Sequence, residues 1–218
     1  MRIACVGYRT WALNIYKSLQ SATSYEFLVQ SSLEDYSERE IAEFKPDFVL
    51  FYGWSEIISS ELIERFICLM LHPSPLPNYR GGSPIQNQII RNEVDSAVTI
   101  FCMDDGIDTG PIAKQSYLSL EGSIDEIFDR IERVGFSLTL EMLVEGPVFT
   151  EQEHESATQY RRRKPSDSEI TLEELRVKPL RYLENKIRML QDPYPNPYII
   201  TADNRRLYIH SISSDENK

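Results

Sequence analysis

His72 is one of three histidines in the chain, and it stands in "LHPSPLPNYRGGSPIQ", where an apolar run breaks into prolines and glycines. Pro73, Pro75 and Pro77 make the exit from the histidine rigid, because a proline ring fixes its own φ. Further along, "DDGIDTG" sets Asp104, Asp105 and Asp108 among two glycines. A carboxylate turned onto an imidazole fixes its tautomer and orientation, and such a pair suits proton transfer near neutral pH. The same residues also read as a structural histidine and a solvated acidic turn. A calcium loop would need a longer series of ligands and a later Glu, so no metal site is expected. Ser74 lies two residues from His72 and cannot form a hydrolase triad by itself, and no Gly-x-Ser-x-Gly elbow occurs.

The elements around these residues must bring them together. Short apolar runs ("RIACVG", "YEFLVQ", "KPDFVLFYGW", "ICLMLHP") alternate with helical patterns ("SEREIAEF", "SSELIERF"). That alternation predicts a mostly parallel sheet flanked by helices, a Rossmann-like α/β fold. "SPIQNQIIRN" starts a helix with Pro84 at its first position. "AVTIFCMDD" and "PIAKQSYLSL" read as strands, and "SIDEIFDRIERVGFSLTLEML" as a long amphipathic helix opened by a capping box of Ser123 and Glu126. In an open parallel sheet ligands bind at the carboxyl ends of strands, so the loops after the third, fourth and fifth strands should converge. Gly7 follows a strand, but GxGxxG is absent, which leaves a plain strand-to-helix turn.

After Gly146 the composition shifts. "EQEHESATQYRRRKPSDSE" reads as a linker or exposed loop, followed by a helix, "PLRYLENKIRML", and a hairpin, "PYIITADNRRLYIHSI". This divides the chain into a catalytic domain, residues 1–150, and a small C-terminal lobe, residues 151–218, whose end, "SSDENK", should fray. The formal net charge of −11 argues against nucleic acid and anionic membrane as partners. Against that background Arg161, Arg162, Arg163 and Lys164 form the only dense basic run, either a solvated face or a contact for a diphosphate. No apolar run reaches the ~18 residues of a membrane span. Cys5, Cys68 and Cys102 are odd in number and set in apolar runs, as in buried free thiols of a cytoplasmic protein.

Together, "LHPSPLPNYRGGSPIQ" and "VTIFCMDDGIDTGPI" resemble the 10-formyltetrahydrofolate-dependent formyltransferases, most closely the amino-sugar N-formyltransferases, over roughly residues 45 to 115. "RRRKPSDSEI" and "KIRMLQDPYPNPY" resemble segments of the sugar and methionyl-tRNA branches, and "LHPSPLP" is similar to the pseudaminic acid branch of bacterial surface-glycan synthesis. The resemblance implies N10-formyltetrahydrofolate as cosubstrate and a nucleotide-linked amino sugar as acceptor, with a homodimer left open. It implies catalysis by His72 and Asp108, in the pattern N-x-H…D-T-G. The Asn of that pattern falls on Met70, which cannot donate to an oxyanion, so Ser74, Gln86, Asn87 or a backbone amide would have to substitute. It places the cofactor against Tyr52, Gly53, Trp54, Ser55, Asp104 and Asp105. Asn78, Tyr79, Arg80 and Gly81 would flank the formyl group and substrate, with Arg161 and Arg163 towards the diphosphate. A formyltetrahydrofolate hydrolase and a non-catalytic folate-binding protein are the competing readings. A methionyl-tRNA formyltransferase is expected to carry a larger, basic C-terminal domain.

Overall fold

Strands and helices alternate from the start: β1 (Arg2–Val6), α1 (Thr10–Ala22), β2 (Glu26–Gln30), α2 (Glu38–Phe44), β3 (Phe48–Tyr52), α3 (Ser60–Arg65) and β4 (Cys68–His72). This is a computed structural model, and it describes residues 1–213; of the "SSDENK" expected to fray, 214–218 lie outside the described residues. The four strands pair parallel in the order β2-β1-β3-β4. β3, "FVLFY", is buried along its whole length, as a central parallel strand covered on both faces must be. Ser37 and Ser59 cap α2 and α3 by accepting from the backbone N–H of Glu40 and Leu62.

β5 (Arg80–Gly81), α4 (Pro84–Ile89), β6 (Asp95–Cys102), β7 (Ile112–Ser119) and α5 (Ile124–Glu145) follow. Here the sheet stops being parallel. β6 runs antiparallel to β4, with His72 opposite Thr99 and Leu69 opposite Cys102. Six residues of α4 rise only ~9 Å, too short to return the chain to the far edge, so β6 starts where β4 ends. β7 pairs antiparallel with β6 and completes the order β2-β1-β3-β4-β6-β7. The capping box of Ser123 and Glu126 opens α5.

Alternation along β4 sends Leu69 and Leu71 into the core beneath α1, α4 and α5, and Cys68 and Met70 into the core beneath α2 and α3. His72 therefore shares the side of Met70. A Cβ on Gly135 of α5 would meet Leu71 at 2.7 Å and Ile15 at 2.8 Å, so α5 lies directly against β4 and α1 only because that residue lacks one.

The chain continues through β8 (Gln159–Tyr160), a 3-10 turn (Pro165–Ser168), α6 (Leu172–Val177), α7 (Leu180–Arg188), β9 (Tyr198–Ile200) and β10 (Arg206–Tyr208). The polar run after Gly146, expected to be an exposed linker, corrects that reading. Gln152 is buried, Thr150 bridges to Ile112, and β8 pairs with β5. Met189 and Leu190, just past α7, are buried in the same core as α5. The short helix α6, absent from the sequence reading, buries none of its residues and is opened by a capping box of Thr171 and Glu174. Among the described residues no helix is long and apolar enough to cross a membrane.

Candidate active site

The His72 ring is buried at the end of β4, with an acceptor at each nitrogen. Nε2 lies 2.8 Å from the carbonyl oxygen of Tyr79. A carbonyl can only accept, so Nε2–H is the donor. Nδ1 lies 3.5 Å from Asp108 Oδ2, a looser contact. The same Oδ2 accepts from the backbone N–H of Gly81 at 2.7 Å, which holds the carboxylate in place. At Gly81 φ is +90° and a Cβ would meet the Tyr160 carbonyl at 2.3 Å, so glycine is required there.

Asp108 reaches His72 by a route that corrects the expected convergence of loops at one sheet edge. Because β6 is antiparallel, it ends beside the start of β4, where Met103 N–H donates to the Cys68 carbonyl at 2.8 Å. The turn then folds back over the sheet. Asp104 Oδ1 holds that turn by accepting from Gly106 N–H at 3.0 Å and from Thr109 Oγ1 at 2.6 Å. Asp108 has φ +55°, and Tyr79 and Ser83 also have positive φ. Such backbone costs on the order of 1–3 kcal/mol per residue and concentrates at functional sites.

Several expected site residues have structural employment instead. Ser74 is fully buried and donates to the Asn78 carbonyl at 2.9 Å. Asn87 Nδ2 donates to the carbonyls of Gly82 at 2.8 Å and Arg161 at 3.3 Å. Neither amide nor hydroxyl is free for an oxyanion. Gln86 is buried, with its side chain turned to Tyr194. Arg80, expected beside the substrate, is buried and donates twice to Gln152 Oε1, at 3.1 and 2.6 Å. Tyr52 points into the core, with its hydroxyl 3.0 Å from Thr139 Oγ1, and burial raises its pKa well above the ordinary phenol value. It cannot offer its side chain to a ligand in this arrangement.

Gly53, at φ +62°, turns the chain over Arg9. Trp54 packs between Tyr8 and Tyr36, with ring centroids 5.5 and 4.8 Å away, and its buried Nε1–H has no acceptor. Ser55 Oγ bonds the Tyr8 hydroxyl. Asp105 is exposed and accepts from Ser60 Oγ at 3.3 Å. Met70 is half-buried and packs in the cluster that contains Trp54 and Phe51. The Tyr79 ring stacks on Tyr160 at 5.0 Å and its hydroxyl donates to Glu93 at 2.8 Å.

Gln152 is the residue that sequence reasoning missed. Its Nε2 donates to the carbonyls of Asp108 at 3.0 Å and Gly110 at 2.6 Å, while its Oε1 takes Arg80. It thus bolts the Asp108 turn to the loop after His72. Thr158 adds a second tie, accepting from Tyr79 N–H through Oγ1 at 2.9 Å and from Arg80 N–H through its carbonyl at 2.9 Å. Nothing in "EQEHESATQY" marks either residue, because both act through pairing with a distant segment.

The site is thus a buried His–Asp pair held between two loops of left-handed backbone, on a mostly parallel α/β sheet. The chain matches the formyl transferase family over residues 9–142 and belongs to it. It is 32% identical over 168 residues to the methionyl-tRNA formyltransferase of Campylobacter jejuni subsp. jejuni serotype O:23/36 (strain 81-176), a match over 75% of this chain and 55% of the relative. The chain spans about half the length of the curated relatives it matches. Its fold superposes with a TM-score of 0.89 on a methionyl-tRNA formyltransferase from Clostridium thermocellum, at 32% identity over 100% of this chain and 95% of that one. A sugar N-formyltransferase from Shewanella sp FDAARGOS_354 shares the fold at a TM-score of 0.78 and 19% identity, over 98% of each chain.

Proposed function

We propose that this chain transfers a formyl group from N10-formyltetrahydrofolate to a primary amine on a nucleotide-linked amino sugar. The observation that carries formyl transfer is the Asp108 carboxylate, pinned by the Gly81 amide and aimed at His72 Nδ1, in a chain of the formyl transferase family. An amine must shed a proton to attack a formyl carbon. Of the two ring contacts, the one to Asp108 is the looser, so Nδ1 is the nitrogen with room to exchange a proton. Once doubly protonated, the ring has an acceptor at each nitrogen, and Asp108 balances its charge. In that form His72 stabilises the negative charge that develops on the formyl oxygen. Met70 supplies no donor, which leaves backbone N–H groups to add to it.

The donor substrate fits the turn after β3. Trp54, Tyr8 and Tyr36 offer aromatic surface, and the unpartnered Trp54 Nε1–H demands an acceptor of the kind a pterin ring carries. The formal net charge of −11 supports a small acceptor over a polyanion. The end-to-end likeness to the Shewanella sugar enzyme supports it too. A second reading, methionyl-tRNA as acceptor, is favoured by the 32% identity to the Clostridium thermocellum enzyme.

The test is incubation with N10-formyltetrahydrofolate and a panel of nucleotide-linked amino sugars plus methionyl-tRNA, read by mass spectrometry. Gain of one formyl group on a sugar nucleotide is the expected result. Formylation of methionyl-tRNA alone would move the acceptor to the second reading, and release of formate with no acceptor modified would sink both.

A further inference from the structure

Beside the His72 loop, α4, the segment 160–174 and α7 enclose a cleft of 590 Å³, within the range of small-ligand sites. Three guanidinium groups converge on it. Arg161 is exposed and forks onto Asp167, with both contacts at 3.1 Å. The second Asp167 oxygen also takes Lys164 N–H at 2.7 Å, so this carboxylate is committed. Glu174, also on the wall, is held by Lys186 at 2.8 and 2.9 Å, and Glu169 is the third carboxylate of the lining. Arg163 differs. It is half-buried, its Nη2 donates to the Asp167 carbonyl at 2.8 Å, and its Nε–H is buried with no acceptor. Burial depresses its pKa, and the fields of Arg161 and Arg91 add to that against the opposing pull of Asp167. Arg91 lies with its guanidinium 4.0 Å over the Tyr160 ring, one Nη1 contact going to the Asn87 carbonyl at 2.7 Å.

An unpartnered directional donor inside a crowded cationic cleft is a demand for an anion with several acceptor oxygens. Arginine's planar fork suits a phosphate better than a single-point acceptor. The cleft also touches the reaction centre through packed groups: Arg91 lies on Tyr160, Tyr160 stacks on Tyr79, and the Tyr79 carbonyl takes His72 Nε2.

We propose that this cleft binds the diphosphate of a nucleoside-diphosphate acceptor through Arg163 and Arg91, while Arg161 only holds the wall. The proposal rests on the reading of the acceptor as a nucleotide-linked sugar, and it assigns the groups that recognise the nucleotide end. It differs from the simple basic-run expectation by adding Arg91, which follows α4 and belongs to neither run nor motif, and by removing Arg161.

The test is calorimetric titration of the full chain with UDP, dTDP, GDP, pyrophosphate and bulk tRNA, for wild type, Arg163→Gln, Arg163→Lys and Arg91→Gln. Tetrahydrofolate binding and the melting temperature are measured on the same samples. We expect at least one nucleoside diphosphate to bind the wild type, and to bind Arg163→Gln and Arg91→Gln at least tenfold more weakly. Arg163→Lys, which keeps the charge but lacks Nε, should also bind more weakly. Tetrahydrofolate binding and folding should be unchanged in all three. Three results would overturn the proposal: tetrahydrofolate binding with no nucleotide binding by the wild type, wild-type nucleotide affinity in the folded variants, or binding of tRNA without nucleoside diphosphates. Failure of the wild type to bind tetrahydrofolate, with the nucleotide pattern intact, would instead strike the formyl-transfer reading and leave the diphosphate site supported.

Discussion

Around His72 the polar groups are tied to one another. The ring, Asp108, Gly81, Arg80 and Gln152 form one connected set of contacts between 2.6 and 3.5 Å. In the cleft beside α7 the arrangement differs: four cations and three carboxylates line it, and Arg163 Nε has no acceptor. A fully satisfied network is rigid, and rigidity is what a centre needs when its function is to hold two groups against charge that appears only during reaction. An unsatisfied one is what remains when part of the wall is contributed by the ligand. The two regions share the Tyr79–Tyr160 stack, so each constrains the other.

The comparison can be broken first at the satisfied end. Asp108→Asn keeps an acceptor for Gly81 N–H but removes the charge facing His72. We predict a fall in kcat of ~10²- to 10⁴-fold, the range for a positioned acid–base group, with an unchanged melting temperature. A folded Asp108→Asn enzyme within tenfold of wild type would remove the carboxylate from the mechanism.

Next comes the lobe. Lys186 is buried against Glu174, and Glu174→Gln would keep an acceptor oxygen beside that ammonium but remove its counter-charge. The expected loss is on the order of 3 kcal/mol at neutral pH, measured by denaturant unfolding. Burial alone would raise the pKa of Glu174, but bonds from Lys186, Thr171 N–H and Tyr182 override it and lower the value below 4.5. A depressed carboxylate stabilises fully above its unfolded pKa and loses that contribution as pH falls through the folded one. The gap between wild type and Glu174→Gln should therefore shrink below about pH 4.5; a gap that widened in acid would contradict the pairing.

Gly135→Val, which forces a side chain onto Leu71 and Ile15, should cost ~1–3 kcal/mol in the same assay, with the fold retained. The smallest effect is assigned to Arg161→Ala. Its side chain is 69% exposed, and we expect no measurable change in the denaturation midpoint or in KM for the acceptor. A large rise in KM would mean that the wrong arginine was chosen in the cleft.

Sequence pattern carried the sheet well where local periodicity decides structure. β1 to β4 follow from apolar runs, α2 and α3 start at their serine caps, and the Ser123 capping box sits where its spacing demands. The direction of β6 was not legible, because it depends on how far the six-residue α4 can carry the chain. Gln152 and β8 were hidden for a related reason: a polar segment that pairs across 70 or more residues looks like a linker until its partner is known. At the site, the types and spacing of His72 and Asp108 were visible, while the committed roles of Ser74, Asn87 and Arg80 depend on hydrogen bonds that no local pattern encodes.

The central claim is that formyl transfer passes through His72. The most direct measurement is single-turnover transfer from N10-formyltetrahydrofolate to the acceptor found in the panel, by wild type and by His72→Ala, with tetrahydrofolate affinity determined for both. The account predicts equal folate affinity and transfer at least ~10²-fold slower in the variant. A folded His72→Ala enzyme that binds folate and transfers at the wild-type rate would contradict it.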